Sequence, residues 1–480
     1  MEKGEGQSST KINKYACACS IVASMISIIF GYDTGVMSGA MIFVKKEFKI
    51  SDAKTEVLAG ILNLCALVGS LSAGRTSDYI GRRYTIVIAS VIFLLGSVVM
   101  GYGPSYVVLL VGRCIAGVGV GFALMIAPVY SAEVSSPSTR GFLTSLPEVG
   151  ISVGILLGYL IMLGIAAIPS LFLAIGILRM PESPRWLIMK GRLGEAKEIM
   201  YKVSNDPKEA ELRLREIKRA IGIDENCDDD SVRIPDSVKS QGEGIWKELL
   251  LKPTKSLRWI LIAGVGIHFF EHATGIEAVI LYSHKIFAKA GVHDHKHQIL
   301  ATCGVGLTKF SFIVLSTILI DRVGRRKLVL TSVSGMVLAL TGLGTFLTLA
   351  EQSGGKLVWT LVLSIITTYS YVAFFNVGLA PVTWVYTAEI FPLRYRGLGV
   401  GIGVAVNRLM NATVSMTFLS MMSAMTIAGV FFMFAGISVI ALIFFYYFLP
   451  ETKGKSLEEM EALFTRNKGS KSKFVEIGKY

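Results

Sequence analysis

Charge is scarce in this 480-residue chain. Charged residues make up 17% of it and apolar ones 52%, a composition that does not suit a soluble enzyme. Cysteine is scarce as well. The six cysteines (17, 19, 65, 114, 227 and 303) are scattered, mostly inside apolar runs, and show neither metal nor disulfide spacing. They read as core residues. No nucleotide loop, no nucleophile–base pairing and no metal-ligand spacing occurs, which argues against an enzyme and against a resident cofactor or metal. His293, His295 and His297 read as a solvated polar loop rather than a metal site. Asn411-Ala412-Thr413 has the glycosylation pattern but lies within an apolar run. The first 14 residues are polar, and no small-residue cleavage site follows Tyr15–Gly31, so that run reads as a retained first span and not a cleaved signal peptide.

Long apolar runs, by contrast, are abundant. Twelve lie near 15–38, 56–74, 84–102, 105–128, 142–160, 161–180, 258–283, 298–320, 328–350, 357–386, 397–421 and 424–449. Each is long enough to cross a hydrocarbon core of roughly 30 Å as a helix. The expected fold class is an all-α membrane protein with twelve transmembrane helices. The net charge of +13 raises the question of nucleic acid, but its placement answers otherwise. Most Lys and Arg residues fall in the tails, in 181–257 and in the alternate short loops holding Arg82, Arg140, Arg325 and Arg396. That is the positive-inside pattern, with both termini cytoplasmic and the lipid bilayer as the partner.

Three motifs occur twice, in the same order. Gly74-Arg75-Thr76-Ser77-Asp78-Tyr79-Ile80-Gly81-Arg82-Arg83 returns in its ending as Asp321-Arg322-Val323-Gly324-Arg325-Arg326. Tyr130-Ser131-Ala132-Glu133 precedes Arg140-Gly141 as Tyr386-Thr387-Ala388-Glu389 precedes Arg396-Gly397. Pro181-Glu182-Ser183 closes the first half as Pro450-Glu451-Thr452 closes the second. Two six-span units follow: a tail over 1–14, one bundle over 15–180, a cytoplasmic helical linker over 181–257, a second bundle over 258–450, and a tail over 451–480. Gly81 and Gly324 allow tight turns. Asp78, Arg82, Arg83, Glu133 and Arg140, with Asp321, Arg325, Arg326, Glu389 and Arg396, are expected to form a cytoplasmic ion-pair lattice that holds the halves together. Exposed pairs of this kind contribute about 0–1 kcal/mol each, which suits a latch that must open.

One acid stands inside the first span. Asp33, in Phe30-Gly31-Tyr32-Asp33-Thr34-Gly35, costs on the order of 2.5–3.5 kcal/mol there on insertion scales and is a functional candidate by that fact. Its natural partner is Arg113 in the fourth span. Moving such a pair apart or together changes the proton affinity of the acid, which makes it a proton-coupling device. A static ion pair between helices is the competing reading.

These residues resemble the sugar porter branch of the major facilitator superfamily, through G-R-T-S-D-Y-I-G-R-R, P-E-S-P-R-W-L, D-R-V-G-R-R, W-V-Y-T-A-E-I-F-P-L-R-Y-R-G and P-E-T-K-G. Within the branch, F-F-E-H-A-T-G-I-E-A-V and G-Y-D-T-G-V-M-S-G-A look most like plant polyol and monosaccharide proton symporters. The resemblance implies two six-helix bundles around a central site, working by alternating access. It implies an acid at the Asp33 position in proton-coupled members. It places Glu271, His272 and Glu277 where the family has the sugar-binding Q-Q-x-S-G-x-N. Glu148 falls at a fifth-span glutamine, and Asn376 and Trp384 match tenth-span positions near the sugar, with Asn407 and Asn411 completing the wall. Thr274 and Gly275 fit a helix that breaks to line a cavity. Lys309, where an asparagine is common, adds a buried cation able to pair with a carboxylate such as Glu271. The implied function is proton-coupled symport of a polyol, cyclic polyol or monosaccharide across the plasma membrane, by a monomer with no cofactor. A facilitator and a sugar-sensing receptor are the alternatives.

One length does not fit. From Glu133 to Pro181 is 48 residues, whereas from Glu389 to Pro450 is 61, although both intervals should hold two spans. Two spans remain the better reading, because a single one would put the basic loops outside. A turn near Tyr159–Gly164 is expected, with a shortened and strained helix 5–6 corner and weak or absent transport.

Overall fold

The structure, a computed structural model, describes residues 13–162, 181–221, 253–292, 294–353, 357–392 and 395–454, with a few residues between 223 and 249. The N-terminal half holds α1 (Lys14–Glu47), α2 (Asp52–Ile80), α3 (Arg82–Gly101), α4 (Tyr106–Val134) and α5 (Arg140–Met162). Asn13, Ser51 and Ser105 start α1, α2 and α4 by accepting from the first free backbone N–H groups with their side chains. Three short helices follow: α6 (Pro184–Met189), α7 (Leu193–Val203) and α8 (Pro207–Ile221). They dock on the N-terminal half. Arg213 of α8 donates to the Ser135 carbonyl at 2.7 Å, satisfying acceptors that the end of α4 leaves open, and Asn13 donates to the Ser204 carbonyl at 2.8 Å.

The C-terminal half begins with α9 (Lys255–Ala273) and α10 (Ile276–Ala290), two pieces of one span. They part at Thr274-Gly275, where Gly275 has φ +92°, a conformation that favours glycine. α11 (His295–Val323) and α12 (Arg325–Gln352) come next, then α13 (Val358–Val377) and α14 (Leu379–Ile390). The break at Gly378 was not expected from sequence, and its cause is tertiary. Pro381 has no N–H for the Val377 carbonyl four residues back, and the Ser316 hydroxyl of α11 donates to that carbonyl instead. Ser332 of α12 holds both sides of the gap, donating to the Phe374 carbonyl at 2.6 Å and accepting from Leu379 N at 3.1 Å. α15 (Arg396–Phe448) is two spans that meet at Thr426, φ +68°.

Eleven of the twelve expected spans thus lie among the described residues. The halves meet chiefly where α2 packs on α15 and α5 on α11, a pairing that the internal repeat relates to itself.

The expected turn near Tyr159–Gly164 is corrected in part: α5 stays helical through Met162, and Gly164 lies outside the described residues, as does the sixth expected span after Met162. The ends on either side still state a length problem. Pro181 sits at the arginine-rich end, where Tyr130 donates to its carbonyl at 3.0 Å, and α5 rises away from that end by about 34 Å. Only 18 residues, 163–180, join these two ends, fewer than the roughly 20 that a single span needs. Inserting a polar turn of 13 residues after Met162, the difference between 61 and 48, is expected to raise both transport and the amount of protein at the surface. Equal uptake by the unmodified chain would show that the short corner is no defect.

Candidate functional site

At the arginine-rich end the two repeats build two equivalent clusters. Arg82 grips Glu133 with both Nε and Nη2 at 3.1 Å and gives Nη1 to Asp78 Oδ1 at 3.1 Å. Arg325 Nη2 reaches Glu389 Oε1 at 2.8 Å and Asp321 Oδ1 at 3.0 Å. Ser183 donates to Glu133, and Thr452 to Glu389 at 2.7 Å. Glu182 accepts from the backbone N–H of Arg82 and Arg83 at 2.9 and 3.2 Å, and Glu451 from those of Arg325 and Arg326 at 2.9 and 3.1 Å. Each carboxylate therefore caps a helix N-terminus just after a glycine turn, Gly81 at φ +101° and Gly324 at φ +99°. This gives the closing Pro-Glu-Ser/Thr motif a role that its sequence alone did not suggest. Burial pushes the Glu182 carboxyl above its ordinary range, against the pull of the Ser183 and Arg82 N–H groups.

The expected lattice needs two corrections. Its central pairs are not exposed: the Arg82 and Glu133 side chains are 1% and 0% accessible, and those of Arg325 and Glu389 2% each. Nor do these pairs join the halves, since each lies within one half. The halves are linked instead by Asp321, which accepts from Gly141 N at 3.1 Å and Phe142 N at 2.7 Å at the start of α5, and by Arg396, whose charge acts on Glu133 of the other half. Asp78 stands in the matching place beside Gly397, where an added Cβ would come within 2.9 Å of its Oδ2. The guanidinium groups of Arg83 and Arg326 lie over the rings of Tyr84 and Tyr446 at 5.6 and 5.5 Å. Arg140 and Arg396 are buried, and Arg396 donates to the Phe391 carbonyl at 3.1 and 3.2 Å.

The opposite end is closed as well. Ser38 of α1 and Tyr159 of α5 donate to the Leu281 and Ile280 carbonyls of α10 at 3.1 and 2.7 Å. Glu56 of α2 accepts from Leu419 N at 2.8 Å and Ser420 N at 3.1 Å in α15.

Between these closures lies a small cavity of about 30 Å³. Phe30, Thr34 and Glu148 line it from the N-terminal half, and Glu271, His272, Glu277, Lys309, Trp384 and Arg408 from the other. Asn376, Asn407 and Asn411, expected on the wall, stand behind it and hold lining side chains. Asn407 donates to Glu271 Oε2 at 2.6 Å, Asn411 to Glu277 Oε1 at 2.7 Å, and Asn376 Oδ1 accepts from Lys309 at 3.2 Å. Lys309 pairs with Glu148 at 2.9 Å and not with Glu271, whose Oε2 has His268 Nδ1 at 3.8 Å. His268 in turn meets the Trp384 ring edge-on, 5.3 Å between centroids. The Trp384 Nε1 is buried and has no acceptor among the described residues.

Asp33 Oδ2 stands 3.4 Å from Arg113 Nη1, the arginine 5% and the aspartate 17% accessible. Asp33 adjoins Thr34 on the cavity wall. His297, expected in a loop, lies instead in the first turn of α11, where it meets Asp294 at 2.6 Å. Among the described residues no group of His, Cys, Asp and Glu is placed to hold a metal ion. Sequence reading passed over Arg408, His268 and Asn63. Arg408 was open to the criterion used for Asp33, a charge inside an apolar run.

Comparison with known proteins agrees with this geometry. Residues 19–464 match the family model described as "Sugar (and other) transporter". The chain is 61% identical to "Probable polyol transporter 6" of Arabidopsis thaliana over 96% of its own length and 97% of that protein. To "Probable polyol transporter 3" of the same plant it is 64% identical over 94% and 92%. Among solved structures it resembles the proton:xylose symporter XylE, from E. coli, bound to 6-bromo-6-deoxy-D-glucose. The TM-score is 0.78 at 28% identity, over 95% of this chain and 100% of that one. Two repeated bundles closing on a cavity, with a family match across nearly the whole length, leave one assignment: the chain is a multi-pass membrane transporter, not an enzyme, and belongs to the sugar porter branch of the major facilitator superfamily with its twelve-helix fold.

Proposed function

We propose that the protein carries a polyol, cyclic polyol or monosaccharide across the plasma membrane together with protons. It works as a monomer by alternating access, with its arginine-rich end and both termini cytoplasmic. The observation that carries this reading is the cavity between the halves. It is walled by donors and acceptors of both signs, and among its lining residues is Trp384, whose buried indole N–H has no acceptor among the described residues. A buried donor left open is costly, and a ligand hydroxyl, which both gives and takes a hydrogen bond, satisfies it. The printed names of the relatives point to polyols, and the solved neighbour is a proton:xylose symporter. The Asp33–Arg113 pair supplies a group that can exchange a proton one residue from the wall. Measuring uptake of a labelled polyol panel with and without a pH gradient tests both parts. Accumulation that collapses with the gradient is expected. Uptake indifferent to the gradient would indicate a facilitator, and none at all, with the 13-residue insertion as well as without it, a receptor.

The site makes a narrower prediction. Glu271 accepts from Asn407 and faces the cavity, so Glu271→Gln replaces an acceptor by a group that also donates. Apparent affinity is expected to change by about 0.5–1.5 kcal/mol, the worth of one hydrogen bond. Kinetics equal to the parent at every pH would place Glu271 away from the substrate.

A further inference from the structure

Arg408 stands on the cavity wall, 3% exposed, in the C-terminal half. One edge of its guanidinium reaches the other half, with Nη1 donating to Asn63 Oδ1 of α2 at 3.0 Å and the group lying 5.6 Å over the ring of Phe30 of α1. Its other edge faces two neutral side chains. Nε donates to Asn407 Oδ1 at 2.9 Å, Nη2 also reaches that oxygen, and Nη2 is 3.0 Å from His272 Nε2.

A guanidinium only donates. His272 must then present the Nε2 lone pair to Arg408, which leaves its ring proton on Nδ1, 3.3 Å from Glu277 Oε1. Asn407 must turn its carbonyl oxygen to the guanidinium, which leaves its amide to donate to Glu271 Oε2 at 2.6 Å. One cation thus orients two side chains: Asn407 hands a proton to Glu271, and His272 turns Nδ1 toward Glu277 without a hydrogen bond to it. Glu148 is already matched by Lys309 at 2.9 Å and Glu277 by Asn411 at 2.7 Å, so Glu271 is the acceptor that Arg408 sets.

We infer that Arg408 is a positioning residue for substrate recognition: through Asn407 it fixes which lone pairs of Glu271 face a polyhydroxyl ligand, and it sets the ring proton of His272 on the side of Glu277. This rests on the transport reading above. It has a consequence that simple structural support lacks. The N–H and charge of Arg408 keep a second proton off His272 Nε2. The other groups around that ring are Glu277 of α10, Asn407 of α15, Glu148 of α5, Lys309 of α11, and His268 and Glu271 of its own helix. Removing Arg408 takes away the donor and the charge that keep Nε2 unprotonated.

The test is uptake of labelled sorbitol between pH 5 and 8 in the full-length protein, scaled to the amount at the surface. Arg408→Met is expected to raise KM about tenfold or more, to change kcat far less, and to give KM a titration over this range that the parent lacks. Adding His272→Gln in that background should remove the titration, and Arg408→Lys, which keeps a charge and a donor, should restore part of the affinity. If Arg408→Met does not reach the membrane, Arg408→Gln carries the same expectations. A variant without Arg408 that keeps the parent's KM and pH profile overturns the inference, as does a new titration that survives His272→Gln. A parent that takes up none of the panel, with the inserted turn after Met162 as well as without it, overturns the transport reading first, and this one with it.

Discussion

Asp33→Asn is expected to abolish accumulation against a gradient and to leave downhill exchange. The ionised carboxylate stands 3.4 Å from Arg113, whose side chain is 5% accessible, and a charge held inside a membrane span costs several kcal/mol unless it is matched. In the mechanism proposed above, a proton on Asp33 would remove that attraction and free α1 from α4, and its loss would restore it. An amide occupies the same volume and can still accept from Arg113, so the helices keep their packing and the substrate its path, but nothing remains to carry a proton. Uphill uptake unchanged in the variant, with the usual alkalinisation of the medium, would make the pair a static tie between helices.

The second large effect lies at the clusters. Glu389→Ala leaves Arg325 with a 2% accessible side chain and without its closest carboxylate, and Thr452 without its acceptor. Breaking a buried ion pair by removing one partner costs about 3–5 kcal/mol, a large part of the stability of a folded chain. A marked fall in melting temperature and in surface protein is expected, and Glu133→Ala should act alike through Arg82. A melting temperature equal to the parent's would show that these clusters do not support their halves.

Much of the architecture was legible in the residues because two of its causes are local. Span lengths follow from apolar runs, and the two halves follow from three motifs repeated in order. The break at Gly275 was legible for the same reason, since a glycine between polar residues inside a span has few other uses. The break at Gly378 was not. It depends on hydroxyls of Ser316 and Ser332 from two other helices, and sequence spacing does not say which helices become neighbours. The clusters were misread on the same ground: the repeats name the charged partners, but whether Arg82 meets a glutamate of its own half or of the other depends on packing. Lys309 was recognised as a buried cation, yet its choice of Glu148 over Glu271 follows from α11 lying against α5. Arg408 needed no packing to be noticed, but without packing it has no role.

The joint made by Asp321 also bears on how this protein can drift in sequence. It binds main-chain N–H groups, so on α5 there is no side chain whose loss would undo it, and most substitutions in the first turn of that helix leave the acceptor served. Gly141 is the exception, since an added Cβ there would run into Asp321 and come within 2.7 Å of Arg325 Nη2. The two sides of one contact are therefore under unequal constraint. Asp321 is tied to its identity, whereas its opposite number answers only to size.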